Sequence, residues 1–349
     1  MKTTFTAFFT SLLLLCTLTT QAQTIRRCNN TGITGTNIYT TLQAAHDAAS
    51  NGDIIYLEPT STSYGSLTCT KVLTIIGTGY FLAQNPGLQL DAREALVGSV
   101  VFNSGSAGSR ITRCVIDNTV SIAANRITVE RNHLTSVYIG YNNLRFTYTS
   151  VDDIVIRNNY IQSQILPYAI ANTALNDITI SNNIIGFGIG VLFDNGYSSS
   201  NLSNILILNN VIGSLTGSSN ANITVDNAVI KNNILTYTGT GTSFTPRNNT
   251  YSNNISGNTA FGTANGNQQN VAPTALFVGG GASTDGAFQL QAAPNPAIGT
   301  GENGANVGAF GGATPYRIAG IPNVPTLYQY NESVTGNTLN VTISTRSNN

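Results

Sequence analysis

The chain has 349 residues and balances 15 basic against 15 acidic side chains, and only 9% of its residues are charged, well under the roughly 25% of an ordinary globular domain. That balance leaves no electrostatic footprint for nucleic acid or an anionic membrane surface. The apolar residues make up 41% of the chain and recur regularly, which excludes a disordered low-complexity chain and predicts one long buried core.

At the N-terminus, Lys2 supplies a positive start, Phe8 to Leu18 an apolar run, and Thr20-Gln21-Ala22 small residues before a cleavage point at Gln23. Residues 1–22 therefore read as a secretory signal peptide. The apolar run is too short for a membrane span, so the expectation is an exported chain whose mature part has no transmembrane segment. Export would carry it to the cell surface, the medium or the periplasm. Cys28, Cys69 and Cys114 remain after cleavage. An oxidising compartment leaves a Cys28–Cys69 bridge open. The lack of a CxxC pair and the presence of only two histidines argue against zinc.

Residues 23–39 read as a lead-in. Thr41-Leu-Gln-Ala-Ala-His-Asp-Ala-Ala49 predicts a short helix with Thr40 or Thr41 as N-cap, Leu42, Ala45, Ala48 and Ala49 on one side, and Asn51-Gly52 as stop. Strands are predicted at Asp53–Leu57 and Val72–Ile76. An internal repeat follows, with Asn-Asn steps at Asn158-Asn159, Asn182-Asn183, Asn209-Asn210, Asn232-Asn233 and Asn253-Asn254. Counting Cys114 and Asn132 as earlier members, the column Cys114, Asn132, Asn159, Asn183, Asn210, Asn233, Asn254 has intervals of 18, 27, 24, 27, 23 and 21 residues. Such intervals suit one coil of short strands and turns.

Before each step the apolar residues alternate, as in Ile154/Ile156, Ile178/Ile180 and Ile205/Ile207. That is strand periodicity rich in β-branched residues. Stacked rungs would place Ile ladders inside the coil, and an inward Asn carboxamide would satisfy backbone groups at each turn. Which Asn of each pair faces inward stays open. The fold expected is all-β: a right-handed parallel β-helix with a short N-terminal capping helix, over residues 40–315 including its caps. Phe288–Gln291 and Val307–Phe310 read as its last short strands. Residues 316–349 read as a Pro-punctuated linker and tail, with Leu339–Ser344 as one extra edge strand.

Thr41-Leu-Gln-Ala-Ala with Asn51-Gly-Asp-Ile-Ile-Tyr-Leu-Glu-Pro59 resembles the entry segment of secreted bacterial right-handed β-helix proteins of the pectin-lyase-like superfamily, Bacteroidetes-type exported ones among them. Asn295-Pro-Ala-Ile-Gly299 with Asn306-Val-Gly-Ala-Phe310 is similar to their closing segment. The resemblance spans about residues 37–312 and implies the fold. For activity it implies a mixed class of lyases, hydrolases and adhesins.

Catalysis of the lyase type would need an Arg or Lys base, commonly with Ca²⁺ held by several acids; the hydrolase type would need paired carboxylates. The sequence has no dense acidic cluster. Its cross-rung candidates are Asp153 and Asp177, with Asp152 and Arg126 beside them, as an acid pair or weak Ca²⁺ site. The bland alternative is a column of turn caps continued by Asn204, Asn227 and Asn248. Arg157 is a candidate base, read more simply as the partner of Glu130 in an exposed cross-strand ion pair. His133 reads as a surface turn residue and His46 as packing within the helix.

Tyr138, Tyr141, Arg145, Phe146 and Tyr148 form the candidate ligand-binding patch, since aromatic rings stack on sugar faces. The function expected is an exported, non-catalytic structural, adhesion or glycan-binding element without a cofactor. The alternative is a polysaccharide lyase or glycoside hydrolase on the same fold. A Thr column (Thr128, Thr179, Thr250) able to order water is broken by Val155, Leu206 and Val229.

Overall fold

The computed structural model describes residues 23–348 apart from 143–146, 169–172, 191–200, 219, 241–247, 281–283 and 323–324. Residues 1–22, read above as a signal peptide, and Arg145 and Phe146 lie outside the described residues.

Two long parallel sheets build a parallel β-helix. The first has 11 strands, and every neighbour pair in it is parallel. Its central members are Thr128–Glu130, Val151–Arg157, Leu175–Ser181, Leu202–Leu208 and Ala228–Lys231. The second has 13 strands and two faces, because the longer strands Val115–Ile122 and His133–Ile139 turn a corner that later rungs split into two short strands. Three sheet faces therefore surround the core, and the connections take the right hand that parallel crossovers adopt. Ile154, Ile178 and Ile205 align in register, as do Ile156, Ile180, Ile207 and Ile230, and all are buried.

The structure resolves the Asn-Asn pair into two roles. The second Asn points inward. Asn132, Asn159, Asn183, Asn210, Asn233 and Asn254 are each 0% exposed. Each accepts, at Oδ1, the backbone N–H of the column member one rung back, beginning with Cys114 at 3.0 Å. Each also donates from Nδ2 to a core-strand carbonyl, as Asn183 does to Ile156 O at 2.9 Å. Asn267 closes the ladder by accepting from Asn254 at 2.9 and 3.1 Å.

The first Asn carries the corner. Asn158, Asn182, Asn209, Asn232 and Asn253 have φ of 54–57°, a left-handed conformation that Asn tolerates better than most residues. Their carboxamides hold a strap formed by residues 300–314, which returns along the outside of the solenoid. Asn158 donates to Thr314 O at 3.0 Å, Asn182 to Ala309 O and Gly311 O at 2.9 and 2.8 Å, and Asn209 to Asn306 O at 3.3 Å. Asn232 Oδ1 accepts from Glu302 N at 2.9 Å, and Asn253 donates to Thr300 O at 3.2 Å.

Under the strap lies an outward apolar column: Ile184, Val211, Ile234 and Ile255, packed on Ala297, Val307 and Ala309. The contact is close enough that a Cβ at Gly308, whose φ is 90°, would meet Ile234 Cδ1 at 2.6 Å. Val307–Phe310 forms no strand, contrary to expectation: its backbone bonds are scattered, Val307 N to Ala297 O, Gly308 N to Asn232 O, and both Tyr316 N and Asn182 Nδ2 to Ala309 O, and make no ladder. Phe288 ends a 3₁₀ turn, and Leu290 makes a single antiparallel bridge to Phe277.

The ends also differ from the sequence reading. Ile25–Cys28 and Ile38–Tyr39 join the first sheet, so residues 23–39 form its N-terminal edge and not a lead-in. Helix α1, Leu42–Ala48, is capped by Thr41, whose Oγ1 accepts Ala44 N at 3.2 Å. It buries His46 instead of Ala48, because His46 Nε2 accepts Thr70 N at 3.0 Å. At the other end Phe261 packs against the core beside Tyr251. The tail is a two-stranded antiparallel hairpin, Thr326–Thr335 with Thr338–Arg346, and not an edge strand of the solenoid. The three cysteines are free and buried. Cys28 Sγ turns to Thr41 O and Cys69 Sγ to Lys71 O, so the bridge left open by the sequence is not formed.

Candidate functional site

The second face of the 13-stranded sheet carries a tyrosine platform. Tyr138 alternates outward between the buried Val137 and Ile139. The chain then leaves the coil as a small antiparallel hairpin, Tyr141–Asn142 with Thr147–Tyr148, in which Tyr141 pairs with Tyr148. The next rung registers Tyr138 with Leu166 and so brings up Tyr168. Tyr141 and Tyr168 stack at 4.5 Å with planes 17° apart. Tyr138 lies edge-on to both at 6.0 and 5.7 Å, and Tyr148 lies 5.2 Å from Tyr141 and 5.8 Å from Tyr168. Tyr148 is 38% exposed. Burial first, and then the crowding of neighbouring phenols, pushes the Tyr168 and Tyr141 hydroxyls above the usual range, so both stay neutral donors.

Beside Tyr148 opens a cleft of about 310 Å³ lined by Thr70, Asn103, Ala123, Asn142, Thr147 and Thr149, among others. Among the described residues that line it, none is charged. Asn142 Nδ2 donates to Asn103 Oδ1, which orients both carboxamides across two rungs. The sequence reading named Tyr138, Tyr141 and Tyr148 but missed Tyr168, Asn103 and Asn142. Aligning the rungs before scanning for aromatics would have found Tyr168.

The other candidates fall elsewhere. Asp153 and Asp177 occupy equivalent places on adjacent rungs, since their neighbours Asp152/Asn176 and Ile154/Ile178 are paired. Both are exposed and left-handed, with φ of 57° and 51°. Arg126, Asn204, Asn227 and Asn248 share that conformation, at 52–55°. For the aspartate and Asn204 rungs the column is thus a kink within a continuous seven-residue strand and not a cap before it. Asp177 accepts from Asn204 Nδ2. Among the described residues no group of three or more His, Cys, Asp or Glu is placed to hold a metal.

Arg157 is committed: its Nε donates to Glu130 Oε2 at 2.5 Å, while Arg110 takes Oε1. Glu130 is only 2% exposed, so the ion pair read as exposed is a buried carboxylate between two arginines. Burial pushes its pKa up, but Arg110 and Arg157 outweigh that and hold it below the usual carboxylate range. His133 is not a surface turn residue. It begins a strand and packs at 4.5 Å from Phe81, 5.5 Å from Tyr160 and 6.1 Å from Tyr80, and burial lowers its pKa to about 4.

The class defined here is a parallel β-helix with a lateral strap and an aromatic platform. No family model and no curated protein matches the chain. Among solved structures, the crystal structure of pectate lyase Pel9A aligns over 83% of this chain and 97% of its own, at 14% identity and a TM-score of 0.37. The fold assignment stands on the strand pairing.

Proposed function

We propose that the protein is an exported, non-catalytic β-helix that binds a neutral glycan at the cell surface or in the extracellular matrix. The observation that carries this reading is the Tyr141–Tyr168 stack with Tyr148 half-exposed beside a cleft whose described lining is Asn, Thr, Ser, Ala and Tyr. Ring faces take the C–H faces of a sugar, and carboxamides and hydroxyls take its hydroxyl groups. Two further points support a binding role: Glu130 and Arg157 are held by each other and by Arg110, and the exposed aspartates sit at kinks of the first sheet.

The test is incubation with a panel of neutral and acidic polysaccharides. Unsaturated products, reducing ends and retention of the protein are all read. Retention on a neutral glycan without turnover is expected. Release of unsaturated or reducing ends would overturn the reading in favour of a lyase or hydrolase.

A further inference from the structure

Where the C-terminal hairpin meets the solenoid, the surface opens into a cleft of about 310 Å³. Its floor is apolar, with Leu88, Phe310, Ile318 and Ile321 among the lining residues. Two arginines line the same cleft: Arg317, from the segment that follows the strap, and Arg346, from the end of the hairpin. Among the described residues that line it, none is acidic.

The chain carries as many acids as bases, and elsewhere it pairs them. Acids meet Arg26, Arg27, Arg93, Arg110, Arg157 and Lys231. Arg317 and Arg346 make no ion pair among the described residues. Each gives one Nη1–H to a backbone carbonyl: Arg317 to Asn348 O, and Arg346 to Gly87 O at 3.1 Å. A guanidinium group carries several more N–H donors. Arg317 also lies within electrostatic reach of Arg131. The carboxylate of that neighbourhood, Glu130, is already held by Arg110 and Arg157.

We propose that this cleft binds an organic anion, a carboxylate carried on an apolar body. The two guanidinium groups offer forks shaped for a carboxylate. The aliphatic and aromatic floor takes the rest of the ligand, in the usual manner of sites that set a few polar groups in an apolar lining. A simple hydrated ion would leave the floor uncovered, and a neutral ligand would leave both charges unmatched. The hairpin is tied to the solenoid near this cleft through Leu90 N to Leu327 O at 2.8 Å and Thr326 Oγ1 to Leu88 O at 2.7 Å. A ligand held by Arg317 and Arg346 together adds a further tie. The cleft is separate from the tyrosine platform and does not rest on the neutral-glycan reading.

The test titrates the full chain by calorimetry with hydrocinnamate, acetate and hydrocinnamyl alcohol. Saturable binding of hydrocinnamate is expected. Acetate lacks the apolar body and the alcohol lacks the charge, so each should bind roughly tenfold or more weakly. Arg317→Gln and Arg346→Gln should each weaken hydrocinnamate by roughly tenfold or more. Arg346 is exposed, so its variant decides the matter if Arg317→Gln folds poorly. Arg27→Gln, at the N-terminal edge of the first sheet, should bind as the parent does. Hydrogen exchange at residues 326–346 should slow with hydrocinnamate and not with the alcohol. An acetylated dipeptide ending in phenylalanine separates the sources of the carboxylate. Tighter binding than hydrocinnamate assigns a peptide C-terminus, and equal or weaker binding assigns a free acid; both support the site. No saturable binding of hydrocinnamate, or binding that both arginine variants leave unchanged, would overturn it.

Discussion

Asn183 and Asn210 are joined twice: Asn210 Oδ1 accepts the Asn183 backbone N–H at 3.0 Å and its Nδ2 at 3.0 Å. The same pair of bonds recurs from Asn132 to Asn267, so each carboxamide closes the backbone of one rung and positions the next. Asn183→Ala removes Nδ2 from Ile156 O and leaves Asn159 N–H without its acceptor. An unsatisfied buried group costs about 1–3 kcal/mol, and more than one is created. A loss of about 3 kcal/mol or more is expected from urea unfolding. Asn183→Asp keeps the acceptor but not the donor and should also be destabilised.

The neighbouring Asn182 should behave differently. Its carboxamide serves the strap and not the ladder. Asn182→Gly preserves the left-handed corner and loses three bonds, to Ala309 O and Gly311 O and from Thr314 Oγ1. Hydrogen exchange should quicken at residues 307–312 while the ladder amides keep their protection. Asn182→Ala adds on the order of 1 kcal/mol of backbone cost and should be less stable than the Gly variant.

His133 makes the fold acid-sensitive. Burial lowers its folded pKa from 6.5 to about 4. The ring is neutral in both states above pH 6.5, so it costs nothing there. As pH falls from 6.5 towards 4 the unfolded chain takes the proton first, and stability is lost across that window. Asp285, raised by burial, has the opposite sign, its cost growing as pH rises. His133→Phe isolates the histidine. Its Tm should fall less than that of the parent between pH 6.5 and 4.

The cysteines should be inert. Burial raises Cys28 and Cys114 to about 12 and Cys69 to about 11, with Glu58 adding to the rise at Cys28. The thiolate is the reactive form. In a folded chain that begins at Gln23, a chromogenic disulfide reagent should label no thiol on the time scale of minutes, and three after denaturation.

The Asn-Asn repeat, the Ile ladders and helix α1 were legible in the sequence because each follows a local period, while which Asn of a pair turns inward was not, since both neighbours are the same residue. Nor was the strap legible. It is held to the rungs by Asn side chains tens to over a hundred residues away, such as Asn158 to Thr314, and leaves no periodic trace. One local signal did exist: Ile184-Ile185, Val211-Ile212 and Ile234-Leu235 put two apolar residues in succession where alternation allows one, which requires a cover on the outer face. The burial of Glu130 was missed because Arg110, paired with Thr128 on the preceding rung, reaches it diagonally. The platform was legible in part, since Tyr168 is 27 residues from Tyr141 in sequence yet stacks on it.

The most direct test of the proposed function compares tyrosines. With the neutral glycan that retains the protein, dissociation constants are measured for the parent, Tyr148→Ala, Tyr168→Ala and Tyr328→Ala, the last lying on the C-terminal hairpin away from the platform. Loss of one stacking ring is worth about 1–3 kcal/mol, taking ring-to-base stacking as the guide, or roughly 5- to 150-fold in affinity. The account predicts that loss for Tyr148→Ala and Tyr168→Ala and none for Tyr328→Ala. Unchanged affinity in both platform variants, with their melting temperatures intact, would contradict it.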